Sequence, residues 1–423
     1  MRLADMFERV VGPGSPIRLR AYDGSTAGDP DSDVTLVVRS PVALNYLAQS
    51  PGGLGLTRAY VSGHIDIEGD FSTALRAMAD LVVKSGVSVG TGDLVRIAAN
   101  LGWVKFVNRV PPPPQEVRRS KLSYLGLRHS RRRDAQAIHH HYDVSNAFYE
   151  MVLGSSMTYT CGVYPYQGAT LEQAQFHKYG LVSRKLGLAE GMRLLDVGCG
   201  WGGMVMHAAR EHRVKALGVT LSKEQAEWAQ KRIAQEGLGD LAEVRHMDYR
   251  ELPDAGYDCI SSIGLTEHIG RRQVPGYFAA LHAKLRPGGR LLNHCITRPR
   301  NDLPPIQPNG VINRYVFPDG ELLGPGWLQT RMNDAGFEIR HQENLREHYA
   351  LTLRDWAANL ERNWDAAVRE VGEGTARVWR LYIVGCVLGF ELNAVQLHQM
   401  LGVKPDGADA RMPLRPSFEP PAG

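Results

Sequence analysis

Hydrophobic residues at the start of the chain fall at Leu3, Met6, Phe7, Val10 and Val11, the spacing of a one-sided helix. Gly12-Pro13-Gly14 ends it. The stripe suits packing on its own domain, and it also suits a lipid surface. DVTLVVRS (33–40) alternates as a strand, PVALNYLAQS (41–50) reads as a helix, and YVSGHIDIEGD (60–70) reads as short strands around a turn. Residues 1–110 thus form a small α+β module without a catalytic constellation. Pro111 to Pro114 and the basic stretch after them read as a linker over 111–134.

From 135 to 402 the pattern changes to strands alternating with helices. Leu194 to Val197, then 215–222, 244–252, 257–264 and 289–297, read as five strands. Such alternation predicts an α/β fold with a doubly wound, mostly parallel sheet, whose ligands lie at the carboxyl ends of the strands. The proline-punctuated tail, 403–423, reads as extended or flexible.

Length and composition agree with this division. At about one domain per 150 residues, 423 residues make two or three domains. A net charge of +4 argues against a polycation built for nucleic acid. The positive charge is local, because 115–134 carries seven Lys/Arg against two acids. That strip suits an anionic membrane surface, and it also suits a solvated connection between domains. Cys161, Cys199, Cys259, Cys295 and Cys386 are odd in number and widely spaced, which favours a reducing, cytoplasmic setting over disulfides or a zinc ribbon. MRLADMFERV lacks the apolar core of a signal peptide. The apolar run Leu381 to Phe390 is too short to span a bilayer as a helix. His139, His140 and His141 are consecutive and cannot all face one ion, so no metal site is expected.

The strongest local signal is MRLLDVGCGWGGM (192–204), in which Asp196 precedes Gly198, Gly200 and Gly202 between a strand and a helix. Glycines there let the backbone turn tightly and approach a ligand near a helix N-terminus. The acid before the first glycine resembles S-adenosylmethionine (SAM) methyltransferases more than NAD enzymes. Thr220 stands where many such enzymes carry an acid for the ribose hydroxyls. Gln225 is either the far end of a capping box with Ser222 or a cofactor contact. Asp248 and Tyr249, after the third strand, suit the adenine amino group and ring.

Less generic strings then converge: HHHYDVSNAFYEMVLGSSMTYTCGVY (139–164), GLTEHIG (264–270), LLNHCIT (291–297) and HYALTLRDW (348–356). Together they resemble the cyclopropane-fatty-acyl-phospholipid synthase and mycolic-acid methyltransferase family over about 135–400. GLTRAYVSGHIDIEGD (55–70) resembles the extra domain of the phospholipid-acting members. Within the family the chain looks most like actinobacterial enzymes of 10-methyl fatty-acid synthesis.

The resemblance implies a bicarbonate ion acting as base, held by Cys161, Glu267, His294, Tyr349 and the backbone at Ile296. It implies SAM contacts at Tyr159, Gly198, Gly200, Thr220, Gln225 and Tyr249. Two departures stand out. Tyr249 replaces a frequent tryptophan, and Leu265-Thr266 replaces a bulkier pair before the glutamate. The implied reaction is SAM-dependent methyl transfer to the cis double bond of an unsaturated acyl chain in a membrane phospholipid. A carbocation results, for which Tyr142, Phe148, Tyr159 and Tyr315 are aromatic candidates by type. Its deprotonation gives a cyclopropane or a methylene branch, the latter a precursor for a flavin- or NADPH-dependent reductase. The expected protein is peripheral at the inner face of the plasma membrane, compatible with a homo-oligomer, and has no nucleic-acid partner.

Two other classes compete. A small-molecule amine N-methyltransferase could share the fold, but its reaction needs no bicarbonate-type base. A non-catalytic lipid- or RNA-binding protein would have no need of an intact glycine loop.

Overall fold

The structure, a computed structural model, describes residues 2–85, 109–117, 144–304 and 310–419. Two compact units emerge. The first comprises Met1–Arg118, Pro308–Pro318 and Trp364–Leu388, and the second the remainder.

In the first unit a four-stranded sheet is ordered β2-β1-β3-β4, from Thr26–Ala27, Arg18–Ala21, Thr35–Val38 and Ile65–Glu68. β1 runs parallel to β3, and the other pairs are antiparallel. The first helix, Leu3–Val11, buries Leu3, Ala4 and Met6 against Leu19, Ala21, Ala27 and Val38, with Phe7 packed alongside. Leu3 and Met6 of the apolar stripe are therefore covered by the sheet, whereas Phe7, Val10 and Val11 are half-buried. The expectation for 60–70 also needs correction. Helix Gly53–Val61 runs through Tyr60 and Val61, and only Ile65–Glu68 is a strand. Burial of Ala59, Tyr60 and Val61 outweighs the low helix propensity of the glycines and β-branched residues.

Glu116 explains why distant segments join this unit. Its buried carboxylate accepts from Arg58 Nε (2.6 Å) and Nη2 (2.7 Å), Arg314 Nη1 (3.2 Å) and the Tyr315 hydroxyl (3.1 Å). Buried Arg377 donates to the Tyr60 carbonyl (3.1 Å), Asp66 (3.2 Å) and Glu373 (2.8 Å). Segments 310–318 and 364–388 thus leave the block 135–402 that the linear pattern treats as one. Of the expected linker, 111–117 is held here, whereas 118–134, with all seven of its bases, lies outside the described residues.

The second unit holds a seven-stranded sheet, ordered β10-β11-β9-β8-β5-β6-β7. Strands β5 (Arg193–Val197), β6 (Lys215–Thr220), β7 (Ala242–His246), β8 (Tyr257–Ile263) and β9 (Leu285–Thr297) are parallel, as expected. β11 (Gln396–Val403) is antiparallel to both β9 and β10 (Glu338–Asn344). Because β5 pairs with β6 on one side and β8 on the other, the topological switch falls where the glycine loop leaves β5. The third strand ends at His246, earlier than expected, and Tyr249–Glu251 is a 3-10 turn.

The tail is extended, yet it is tied down. Arg184 Nε donates to the Phe418 carbonyl (2.7 Å), and the Phe418 ring packs edge-on to His341 at 4.8 Å. Lys404 reaches the carbonyls of His282 and Leu285. Aromatic burial and these backbone bonds offset the freedom that its prolines suggest.

Candidate active site

The amides of Gly198 and Cys199 both donate to the Val219 carbonyl (2.9 and 3.0 Å), folding the glycine loop over the end of β6. Gly202 caps helix Gly203–His212 in the left-handed region, φ 79°. A Cβ there would lie 3.2 Å from Ala229 and Val244, so a side chain meets both strain and crowding. Gly200, φ 55°, faces open space instead.

That space is a cleft lined among others by Tyr159, Lys178, Asp196, Gly198, Gly200 and Gln225. Asp196 accepts from Ser261 Oγ (2.7 Å), and burial pushes its carboxyl up to about 6. Lys178 is fully buried, donates to Thr160 Oγ1 (2.9 Å) and sits 4.0 Å over the Tyr179 ring. Burial lowers its ammonium to about 7. Sequence reasoning missed Lys178. The available signal was a cation on the face of helix Leu171–Leu186 that also buries Ala174, Leu181 and Val182.

Gln225 serves the helix start with its backbone and lines the cleft. Its amide donates to Ser222 Oγ (3.2 Å), a helix cap, but its side-chain oxygen accepts from Thr220 Oγ1 (2.8 Å). The reciprocal half of the capping box is therefore not made. Gly202, Thr220, Asp248 and Tyr249 do not line the cleft, although the Met247 amide ties that segment to the Thr220 carbonyl (2.9 Å). Asp248 accepts from the Arg250 amide and guanidinium. Tyr249 meets Tyr277 edge-on at 5.2 Å.

The second group of residues follows β8. Gly264, which lines the cleft, donates from its amide to the His294 carbonyl (2.8 Å). Glu267, on helix Thr266–Ile269, accepts from the Ile296 amide at 2.6 Å through Oε1. Its Oε2 is buried without a partner, and burial pushes the carboxyl up to about 7. His294 lies two residues before Ile296 on β9, hence on the same face. Its Nδ1 meets Gln399 Nε2 at 3.1 Å, and its Nε2 is buried without a partner. Burial, then the neighbouring Lys178 and Lys185, hold the imidazole well below its ordinary value. Cys161 is fully buried, its Sγ near the Gly162 carbonyl (3.0 Å). Burial keeps it a thiol, well above the range of reactive cysteines. Tyr349, on helix Arg346–Arg362, packs against Phe390 (4.6 Å between rings) and edge-on to Trp356 (6.1 Å).

Orphaned buried polar atoms are costly and mark sites where another group belongs. A carboxyl near neutrality and an imidazole nitrogen fit a small oxyanion that both donates and accepts. At Ile296 the backbone amide is engaged with Glu267, which leaves the carbonyl as the backbone group open to a ligand. Among the aromatic candidates, Tyr159 lines the cleft, with Tyr149 and Trp356 at 5.8 and 5.3 Å. Phe148 is fully buried against Tyr149, 6.3 Å away, and the Tyr315 hydroxyl is engaged with Glu116 in the first unit. Tyr142 and His139 to His141 lie outside the described residues. No cluster able to hold a metal occurs among the described residues. Leu265, at the departure from the usual pair, would touch a Cβ on Gly198 at 3.2 Å, which places it beside the glycine loop.

The family model for mycolic acid cyclopropane synthetase matches residues 129–400. The chain belongs to that family. A probable fatty acid methyltransferase of Mycobacterium tuberculosis is 50% identical over 427 residues, covering 99% of both chains. The cyclopropane-fatty-acyl-phospholipid synthase of Escherichia coli is 34% identical over 261 residues, covering 62% of this chain and 66% of its own. Among solved structures, a mycolic acid cyclopropane synthase complexed with SAH and CTAB superposes with a TM-score of 0.60 at 31% identity. It covers 63% of this chain and 97% of its own. The enzyme is accordingly a SAM-dependent methyltransferase of the fatty acid methyltransferase and cyclopropane synthase type. Its α/β fold with a mostly parallel sheet is that expected from the sequence. Among the described residues no helix is long and apolar enough to cross a membrane.

Proposed function

We propose that the enzyme methylates the cis double bond of unsaturated acyl chains in membrane phospholipids, giving a methylene or 10-methyl precursor or a cyclopropane. The observation that carries this reading is two orphaned buried atoms, Glu267 Oε2, on a helix tied to β9 through the Ile296 amide, and His294 Nε2, on β9 itself. An amine substrate would bring its own lone pair and leave that pair without a task.

SAM supplies an electrophilic methyl group. The glycine loop, Tyr159 and Gln225 would hold it, with Thr220 fixing the Gln225 amide. The carbon left cationic must lose a proton, and bicarbonate would supply the base at the second group of residues. There His294, Tyr349 and Cys161 would donate to the anion, while Glu267, poised near neutrality, would hold its proton or accept it. Tyr159 and Trp356 would present aromatic faces and exclude water.

The phospholipid substrate finds support in the N-terminal unit, which a full-length relative shares, and in the name of the Escherichia coli relative. The strip 115–134 would dock the enzyme on an anionic membrane, and a flavin- or NADPH-dependent reductase would saturate a methylene product. The test is incubation with SAM and oleoyl phosphatidylglycerol, followed by mass spectrometry and NMR of the acyl chains. A gain of one CH2 with a methylene, methyl or cyclopropane signal is expected. A methylated head group with an unaltered alkene would overturn the proposal.

A further inference from the structure

Lys185 and Gln399 have no part in the cofactor cleft, yet both are completely buried. Strand β11 places Gln399 directly opposite His294 on β9. Opposite residues of an antiparallel pair project their side chains to the same face, and here the two meet. From helix Leu171–Leu186, the Lys185 ammonium pairs with Glu343 of β10 and donates to Gln399 Oε1 at 2.6 Å.

An ammonium can only donate. The end of the Gln399 amide that faces Lys185 is therefore its oxygen, and the end that faces His294 Nδ1, at 3.1 Å, is its NH2. A ring nitrogen that accepts cannot carry the proton, so the proton of the neutral imidazole sits on the other nitrogen. We infer that Lys185 and Gln399 are positioning residues that hold His294 as its Nε2–H tautomer, making the orphaned nitrogen a hydrogen-bond donor.

The consequence is chemical. His294 can stabilise a negatively charged oxygen, but its outward nitrogen has no lone pair with which to take the proton from the substrate cation. His294 is then not the base, though it can hold one. As regards what it holds, the inference rests on the bicarbonate reading. The tautomer itself does not depend on it.

The experiment uses the full chain labelled with 15N in its histidines. Long-range 1H–15N correlations report which ring nitrogen is protonated, and a His294→Gln spectrum identifies the signals. The Nε2–H pattern is expected in the wild type, shifting to Nδ1–H or to the doubly protonated ring in Gln399→Glu, whose carboxylate accepts. An Nδ1–H pattern in the wild type overturns the inference, and this measurement needs no variant of the relay. An unchanged tautomer in a folded Gln399→Glu also overturns it. Titration with bicarbonate separates the two readings. An Nε2–H pattern that bicarbonate leaves unmoved supports the tautomer and overturns the bicarbonate site. In Gln399→Glu, kcat should fall roughly tenfold or more, as wrong-tautomer histidines do elsewhere, while SAH affinity stays unchanged.

Discussion

Glu267→Gln should make the protein more stable at alkaline pH while abolishing turnover. In the folded enzyme burial raises the carboxyl from an ordinary 4.5 to about 7. Between those values the native state binds more protons than the unfolded chain, so stability present at low pH is lost as pH rises through about 7. The gap corresponds to ~3 kcal/mol in all, most of which is lost between pH 5 and pH 8. Glutamine keeps an oxygen for the Ile296 amide, places a neutral NH2 where Oε2 stands, and does not titrate. Urea unfolding of both proteins at pH 5, 6, 7 and 8 reads the effect as a double difference, in which Asp196 and the other titrating groups cancel. With a slope of ~3 kcal/mol per M, the midpoint of the variant relative to wild type should rise by on the order of 1 M between pH 5 and pH 8. A difference independent of pH would show that Glu267 is an ordinary ionised carboxylate, and the argument for its poise as a proton acceptor would collapse.

Other perturbations separate the layers of the structure. Arg58→Ala removes two of the bonds to a carboxylate whose side chain is only 3% exposed, and should destabilise the protein by roughly 3–5 kcal/mol in urea without altering SAH affinity. Cys161→Ala should lower turnover while sparing SAH binding by calorimetry; full activity would remove the thiol from the site. Lys178→Met takes a buried cation from the cofactor cleft and should weaken SAH, which carries a carboxylate, at least tenfold more than methylthioadenosine, which lacks one, as expected for a lost charge-assisted contact of about 1.5–3 kcal/mol. Equal losses would reduce Lys178 to a structural role. Neutralising Arg131, Arg132 and Arg133 should reduce flotation with anionic vesicles, most at low salt; unchanged flotation would end the docking proposal.

Much of the fold was legible because it is local. The parallel strands are apolar runs closed by glycine or acid, and the loop 198–202 announces itself by residue type. What stayed hidden depends on residues far apart in the chain. β10 is half exposed and polar, so it shows no alternation, and β11 hides His398 and Gln399 in the core, where only partners on other elements satisfy them. Lys178 and Lys185 look like solvent-facing bases on an ordinary helix until tertiary contacts bury them. The candidate residues Glu267 and His294 were found through resemblance to a family. No periodicity marks a glutamate whose second oxygen has no partner.

The position of β11 bears on how the enzyme is made. It is the last strand of the chain, yet it lies inside the sheet, between β9 and β10. During synthesis the glycine loop and the five parallel strands emerge first, and β9 must wait, with one edge unpaired, until Val403 has left the ribosome. Only then does Gln399 arrive opposite His294. A nascent chain can therefore assemble its cofactor cleft before Gln399 reaches His294, and during that interval the open edge of β9 is the place where a growing chain is exposed to mispairing.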